Sequence, residues 1–274
     1  MAATQREKAE RFKALHEREG AFVLPNPWDA GSARLLAGLG FEALATTSAG
    51  FANTLGRLDG QVVRSEVLGH CRDLCVATDL PVSADLENCF ADNPEEAAET
   101  IRLAAETGLV GGSIEDYSGD PSNPIYDFGL AVERVQAAVE AAHTLDFTFI
   151  LTARAENLLH GRQDLNDTIR RLQAFEAAGA DVLYAPGLTT LDEVRAVTGA
   201  LRKPLNVLGT LLKGVTVAQL AEAGVKRVST GGALARAALT ALLRAGAEVR
   251  DRGSFEWTSD LAPGPEVSRL LGTQ

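Results

Sequence analysis

Residues 80–116, LPVSADLENCFADNPEEAAETIRLAAETGLVGGSIED, hold the pattern that decides the fold. The stretch opens on a short β-branched run, LPVSADLE (80–87). NPEEAAETIRLAAET (93–107) follows, with apolar residues at helical spacing, and then a second strand-like run, VGGSIED (110–116). Gly108 stands between helix and strand as a stop signal. The unit is strand, helix, strand, the building block of a parallel sheet.

The same unit recurs on both sides. AFVLPN (21–26) and FEALATTS (41–48) precede it. FTFILTARAE (147–156), ADVLYAPG (180–187), KPLNVLG (203–209) and VKRVSTGG (225–232) follow. DLNDTIRRLQAFEAA (164–178) is another amphipathic helix, and Gly40, Gly179 and Gly224 fit as further helix stops. Eight strand-then-helix units in roughly 230 residues predict an α/β fold of the (β/α)8 TIM-barrel type. A doubly wound open sheet fits less well, because no GxGxxG turn follows the first strand. No linker or low-complexity stretch divides residues 1–274, so one barrel domain is expected. Residues 232–274, an Ala/Leu-rich helix and a tail containing RDRGSFEWTSDLAPGP, are expected to dock on a neighbouring subunit.

The chain of 274 residues carries 37 acidic residues against 26 Lys and Arg, a net charge of -11, and no basic run. A phosphate backbone would be repelled, which argues against nucleic-acid binding. No window approaches the ~18 apolar residues of a membrane span. The charged N-terminal stretch lacks the apolar core of a signal peptide. Cys71, Cys75 and Cys89 cannot all pair with one another, and reduced thiols in a cytoplasmic protein are expected.

Barrel chemistry sits at the C-terminal ends of the strands. Acidic residues crowd strands three and four there, opposite Arg154 on strand five. Asp85 and Glu87 are two apart, so strand alternation predicts one shared face, within reach of Glu115. Three such carboxylates repel one another unless a cation joins them. Hard oxygen ligands without a His or Cys cluster predict Mg²⁺ or Mn²⁺; solvated loop acids are the plain alternative. Arg154 can grip a substrate carboxylate or phosphonate, or pair with Glu156 or Glu115. TTSAGFA (46–52) offers a small-residue turn, from Thr46 to Gly50, that can cradle a carboxylate or an oxyanion.

NPWDAGSARLLAGLGFEALATTSAG (26–50), PVSADLE (81–87), GGSIED (111–116) and LTARAE (151–156), in that order, resemble the isocitrate lyase/phosphoenolpyruvate mutase superfamily. The resemblance spans roughly residues 24 to 232. It implies a barrel whose last helix is exchanged between subunits, with dimers pairing into tetramers. It also implies Mg²⁺ held by Asp85, Glu87 and Glu115, with Glu87 standing where the family carries a second Asp. Ser48, Ala49 and Gly50 would hold the carboxylate of a small anionic 2-oxo acid, and Arg154 matches the family's substrate-binding Arg. Asp59 matches an acid placed near the metal's waters, and Asn123 an Asn that touches the transferring group.

The family's lyases carry a Cys-containing motif after strand four. The corresponding loop here, DYSGDPSNPIYDFG (116–129), has no Cys, Lys or His. The expectation is therefore a Mg²⁺-dependent lyase that cleaves a C–C bond through an enolate, without the family's usual catalytic Cys. P–C bond chemistry of the mutase and phosphonopyruvate hydrolase kind, or a non-catalytic binding barrel, are the alternatives. A Schiff-base aldolase is disfavoured, since Lys203 and Lys226 lie at strand starts and Lys213 in a loop. STGGALARA (229–237) reads either as a phosphate-binding turn or as close helix packing.

Overall fold

The computed structural model describes residues 3–272. Residues 1–2 and 273–274, the outermost positions of the expected domain and of its C-terminal segment, lie outside the described residues. The strands are β1 (Phe22–Leu24), β2 (Leu44–Ala45), β3 (Val82–Ala84), β4 (Gly111–Glu115), β5 (Ile150–Arg154), β6 (Val182–Tyr184), β7 (Leu205–Leu208) and β8 (Arg227–Ser229). Each falls inside a stretch read from the sequence as a strand. All pair in parallel, in the order β1-β8-β7-β6-β5-β4-β3-β2. Across the remaining seam, Ala45 N donates to Pro25 O at 3.1 Å. The result is a nearly closed (β/α)8 barrel.

The helices are α1 (Gln5–Glu17), α2 (Ala30–Gly38), α3 (Ser48–Thr54), α4 (Arg64–Ala77), α5 (Pro94–Ala105), α6 (Phe128–His143), α7 (Leu165–Ala177), α8 (Leu191–Ala200), α9 (Val217–Glu222), α10 (Ala233–Arg252) and α11 (Gly264–Gly272). In α5, Asn93 accepts from Glu95 N and Glu96 N, Pro94 opens the first turn, and Ala97, Ala98, Ile101, Ala104 and Ala105 are buried. In α7, Asp164 caps the start, and Leu172 and Phe175 are fully buried. Each of those two side chains contributes roughly 1.5–3 kcal/mol. Gly179, which stops α7, has φ 104°, and a Cβ there would lie 2.9 Å from Val139 Cγ1. Only glycine suits both the backbone and the space.

α1 seals the barrel's N-terminal end. Ala9, Phe12 and Leu15 pack against Phe22, Ala43, Val110, Ile150 and Val182, residues at or just before the starts of five strands. At the other extreme of the chain, α10 buries only Ala235 and exposes Leu239, Leu242, Leu243 and Val249. The segment then turns back, and Leu270 of α11 packs on Gly38 of this chain's own α2. Among the described residues no helix is long and apolar enough to cross a membrane. The three cysteines are free and buried.

Candidate active site

Glu115 and Arg154 end β4 and β5 and are register partners across the two strands. From there Arg154 gathers three carboxylates. Its Nη1 lies 2.8 Å from Asp85 Oδ1, its Nη2 3.2 Å from Glu115 Oε2, and its Nε 2.7 Å from Glu156 Oε1. The guanidinium also lies 5.0 Å from the centre of the Tyr184 ring. Burial alone would weaken this cation, but Glu156, Glu115 and Asp85 outweigh that and hold it charged. Glu115 is shifted well above the ordinary carboxylate range, first by burial, with Glu156, Asp85 and Glu87 adding to the shift. One guanidinium shared among three acids leaves Glu115 under-compensated.

Two cavities meet at this cluster. An inner chamber of about 230 Å³ runs into the barrel, past Thr46, Ser48, Ala49 and Asp85. An outer vestibule of about 500 Å³ is walled by Glu87, Glu115, Tyr117, Glu156 and His160. Ser48, Asp59 and Arg154 border both. Ser48 N and Oγ donate to Asp85 Oδ2 at 3.3 and 3.1 Å. Burial raises the Asp59 pKa, with the Asp85 charge acting the same way and the Ser48 hydroxyl opposing it.

The shared face expected for Asp85 and Glu87 is not what forms. β3 ends at Ala84, and Glu87 has a left-handed backbone, φ 50°, so alternation stops between the two acids. Asp85 lines the chamber and Glu87 the vestibule. Cys89 and Phe90 are also left-handed, at φ 58° and 57°. Arg134 braces this loop: it donates to Asn88 O, and to Ala91 O at 2.8 Å, and its guanidinium lies 4.2 Å from the centre of the Tyr126 ring.

The 46–52 stretch is a helix start rather than an open turn. Thr47 caps α3, accepting from Gly50 N at 3.3 Å. Thr46, Ser48 and Ala49 line the chamber, whereas Gly50 packs behind them. A Cβ on Gly50 would lie 2.5 Å from Thr47 Cγ2 and 2.9 Å from Trp28 Cβ, so close packing accounts for that glycine. Asn123 is exposed in the loop after β4 and lines neither cavity; its carbonyl accepts from Ser118 Oγ at 2.7 Å. His160 stacks on Tyr117 with ring centres 3.8 Å apart, on the vestibule wall.

Among the described residues no three His, Cys, Asp or Glu side chains converge as an ion site. Arg154 occupies the space between Asp85 and Glu115. The donors nevertheless fit a hard divalent cation. Glu87 is pushed up to about 8, first by burial and then by the charges of Asp85 and Asp59. A cation there would relieve the repulsion that keeps the proton on Glu87.

Several chamber residues escaped the sequence reading: Ser113, Tyr184, Asn206 and Arg227. Ser113 and Asn206 lie inside their strands and Arg227 at a strand start, away from the C-terminal ends, while Tyr184 ends β6. Alternation was the available signal, since Arg227 and Ser229 are two apart on β8 and Ser113 is two before Glu115 on β4.

A barrel with a buried arginine and acids at the C-terminal ends of adjacent strands defines an enzyme site for small anions. The family model described as phosphoenolpyruvate phosphomutase matches residues 12–250. The chain belongs to that family. A solved structure from Burkholderia cenocepacia J2315, provisionally named a lyase/mutase, is 58% identical, with a TM-score of 0.95 over 98% of this chain and 97% of that one. Oxaloacetate decarboxylase of Paraburkholderia xenovorans is 29% identical over 85% of this chain and 79% of its own length. Phosphonopyruvate hydrolase, solved with oxalate and Mg²⁺, shares the fold at 22% identity, with a TM-score of 0.86 over 98% of this chain and 95% of that one.

Proposed function

We propose that this protein is a Mg²⁺- or Mn²⁺-dependent lyase that breaks a C–C bond beside the carboxylate of a small 2-oxo or 2-hydroxy acid, through an enolate. The observation that carries this reading is the Arg154 guanidinium, shared by Asp85, Glu115 and Glu156 at the junction of chamber and vestibule. A buried guanidinium held charged grips a carboxylate more firmly than an exposed one. Ser48 borders both cavities beside Arg154, and its backbone N–H and hydroxyl, which here donate to Asp85, are further donors suited to that anion. Asp85, Glu87 and Glu115 are the residues that would hold the metal, which when bound supplies Lewis-acid stabilisation of the charge developing on the substrate's C2 oxygen. Asp59 stands at the wall between the cavities with a raised pKa, suited to giving or taking a proton. Asn123 reaches the site only if the loop that bears it moves.

The loop after β4 has no Lys or Arg to meet a phosphoryl group, which favours C–C over P–C cleavage. The relative named oxaloacetate decarboxylase supports the same choice. The family model's own name keeps P–C chemistry as the second reading.

The test is pyruvate release from oxaloacetate, 2-methylisocitrate, 2,3-dimethylmalate and phosphonopyruvate, followed by coupling to lactate dehydrogenase. EDTA-sensitive release from a carbon acid, lost in Asp85→Ala and Arg154→Ala, supports the proposal. Release from phosphonopyruvate alone selects the second reading. Release indifferent to EDTA overturns the metal-dependent reading.

A further inference from the structure

Arg227 is 4% exposed, and no carboxylate lies within ion-pair distance of it among the described residues. Its Nε donates to Asn206 Oδ1 and its Nη2 to Thr152 Oγ1, both at 2.9 Å and both neutral partners. Among the described residues its Nη1 has no hydrogen-bond partner. Burial lowers its pKa to about 10, and the like charge of Arg154 acts in the same direction. A buried cation without a counter-ion is costly, and leaving one of its donors unmade adds to the cost.

A second buried polar atom shares this condition. Ser113 is 7% exposed, and its Oγ also lacks a partner among the described residues. Ser113 and Arg227 line the same inner chamber, on β4 and β8. TIM-barrel interiors are commonly filled by layers of Val, Ile and Leu. This one carries Ser83, Ser113, Asn206, Arg227 and Ser229 in its lining beside Leu24, Ala45, Ala84 and Leu208. A space-filling role for Arg227 accounts for Nε and Nη2 but leaves Nη1 and Ser113 Oγ unexplained.

We propose that Arg227 Nη1 and Ser113 Oγ form a second anion-binding subsite deep in the chamber, taking the distal carboxylate of a doubly anionic substrate held at its other end by Arg154. The inference rests on the proposed function for the Arg154 end alone. Arg227 is thereby a specificity residue. It selects dicarboxylates over monocarboxylates of equal length.

Calorimetric titration with malate and with 2-hydroxybutyrate, in Mg²⁺ and in EDTA, tests this. The two ligands differ by a carboxylate in place of a methyl group. Malate is expected to bind the native protein about tenfold or more tightly than 2-hydroxybutyrate. Arg227→Met removes that preference while leaving 2-hydroxybutyrate binding within about twofold, and Ser113→Ala reduces the preference severalfold. Circular dichroism accompanies each variant, and Ser113→Ala carries the test if Arg227→Met does not fold. Equal affinities in the native protein, no binding of either ligand, or equal losses for both ligands in the variants overturn the subsite. Formate that strengthens 2-hydroxybutyrate binding in the native protein but not in Arg227→Met, without a preference for malate, overturns the dicarboxylate assignment. Loss of turnover with the malate preference intact counts against the lyase reading alone. Turnover with no such preference counts against the subsite alone.

Discussion

Arg154 Nη1 lies 2.8 Å from Asp85 Oδ1 while its Nη2 lies 3.2 Å from Glu115 Oε2, so one planar group ties the end of β5 to the ends of β3 and β4. A lysine at this position keeps the charge but cannot span both acids. Arg154→Lys is expected to lower kcat/KM by on the order of 100-fold on whichever acid proves to be the substrate, as two charge-assisted contacts are lost. Steady-state kinetics reads this. A loss below threefold would show that Arg154 is structural.

Metal binding should depend on pH with a definite sign. The Glu87 pKa is raised from 4.5 to about 8 in the fold, so this group's share of stability is present below pH 4.5 and lost as pH rises through about 8. Bound Mg²⁺ displaces that proton, so affinity rises between pH 6 and 8 and binding releases protons. Titrations in buffers of differing ionisation heat measure the release. Glu87→Gln should abolish most of it.

His16 governs an acid-sensitive part of stability. Burial, helped by the charge of Arg227, lowers its pKa from 6.5 to about 3. Its contribution is present above pH 6.5 and is lost progressively as pH falls towards 3. The slope should reach about 1.4 kcal/mol per pH unit. His16→Phe, set between Phe12 and Phe22, should flatten that limb in urea unfolding at pH 4 to 7. An unchanged slope would assign the acid sensitivity elsewhere.

Gly50→Ala tests whether packing explains that glycine. The added methyl meets Thr47 Cγ2 and Trp28 Cβ, atoms close to the backbone that cannot swing away. A loss of about 1–3 kcal/mol is expected, seen as a lower Tm. Unchanged stability with impaired substrate binding would point instead to a direct role for the Gly50 amide.

The exposed leucines of α10 are expected to be covered in a homo-oligomer. Leu242 and Leu243 are 68% and 73% exposed, neighbours on a helix that its own barrel scarcely touches. Leu242→Glu with Leu243→Glu should shift the mass measured by light scattering towards the monomer. A native protein that is already monomeric would refute this.

The barrel was legible because two periods alternate eight times and glycines mark the joins. Gly40, Gly108, Gly179 and Gly224 all have the positive φ that such stops require. Asp85, Glu115 and Arg154 were legible because strand ends are where barrels place chemistry. Glu87 was not, because its placement depends on a left-handed loop braced by Arg134, a residue 47 positions further along the chain. Arg227 was hidden because an arginine near a strand start, beside the half-buried Lys226, reads as solvated until the inward face of β8 is known. Asn123 rested on resemblance alone, and its loop holds it outside both cavities.

The α1 plug gives the chamber a single door. With Phe12 and its neighbours sealing the strand starts, solutes exchange through the mouth at the strands' C-terminal ends. A molecule split inside such a blind tube releases its pieces in order of depth: the fragment nearest the door departs first, and the fragment seated towards Arg227 leaves last. The deeper product should therefore compete directly with incoming substrate, while the outer one should not.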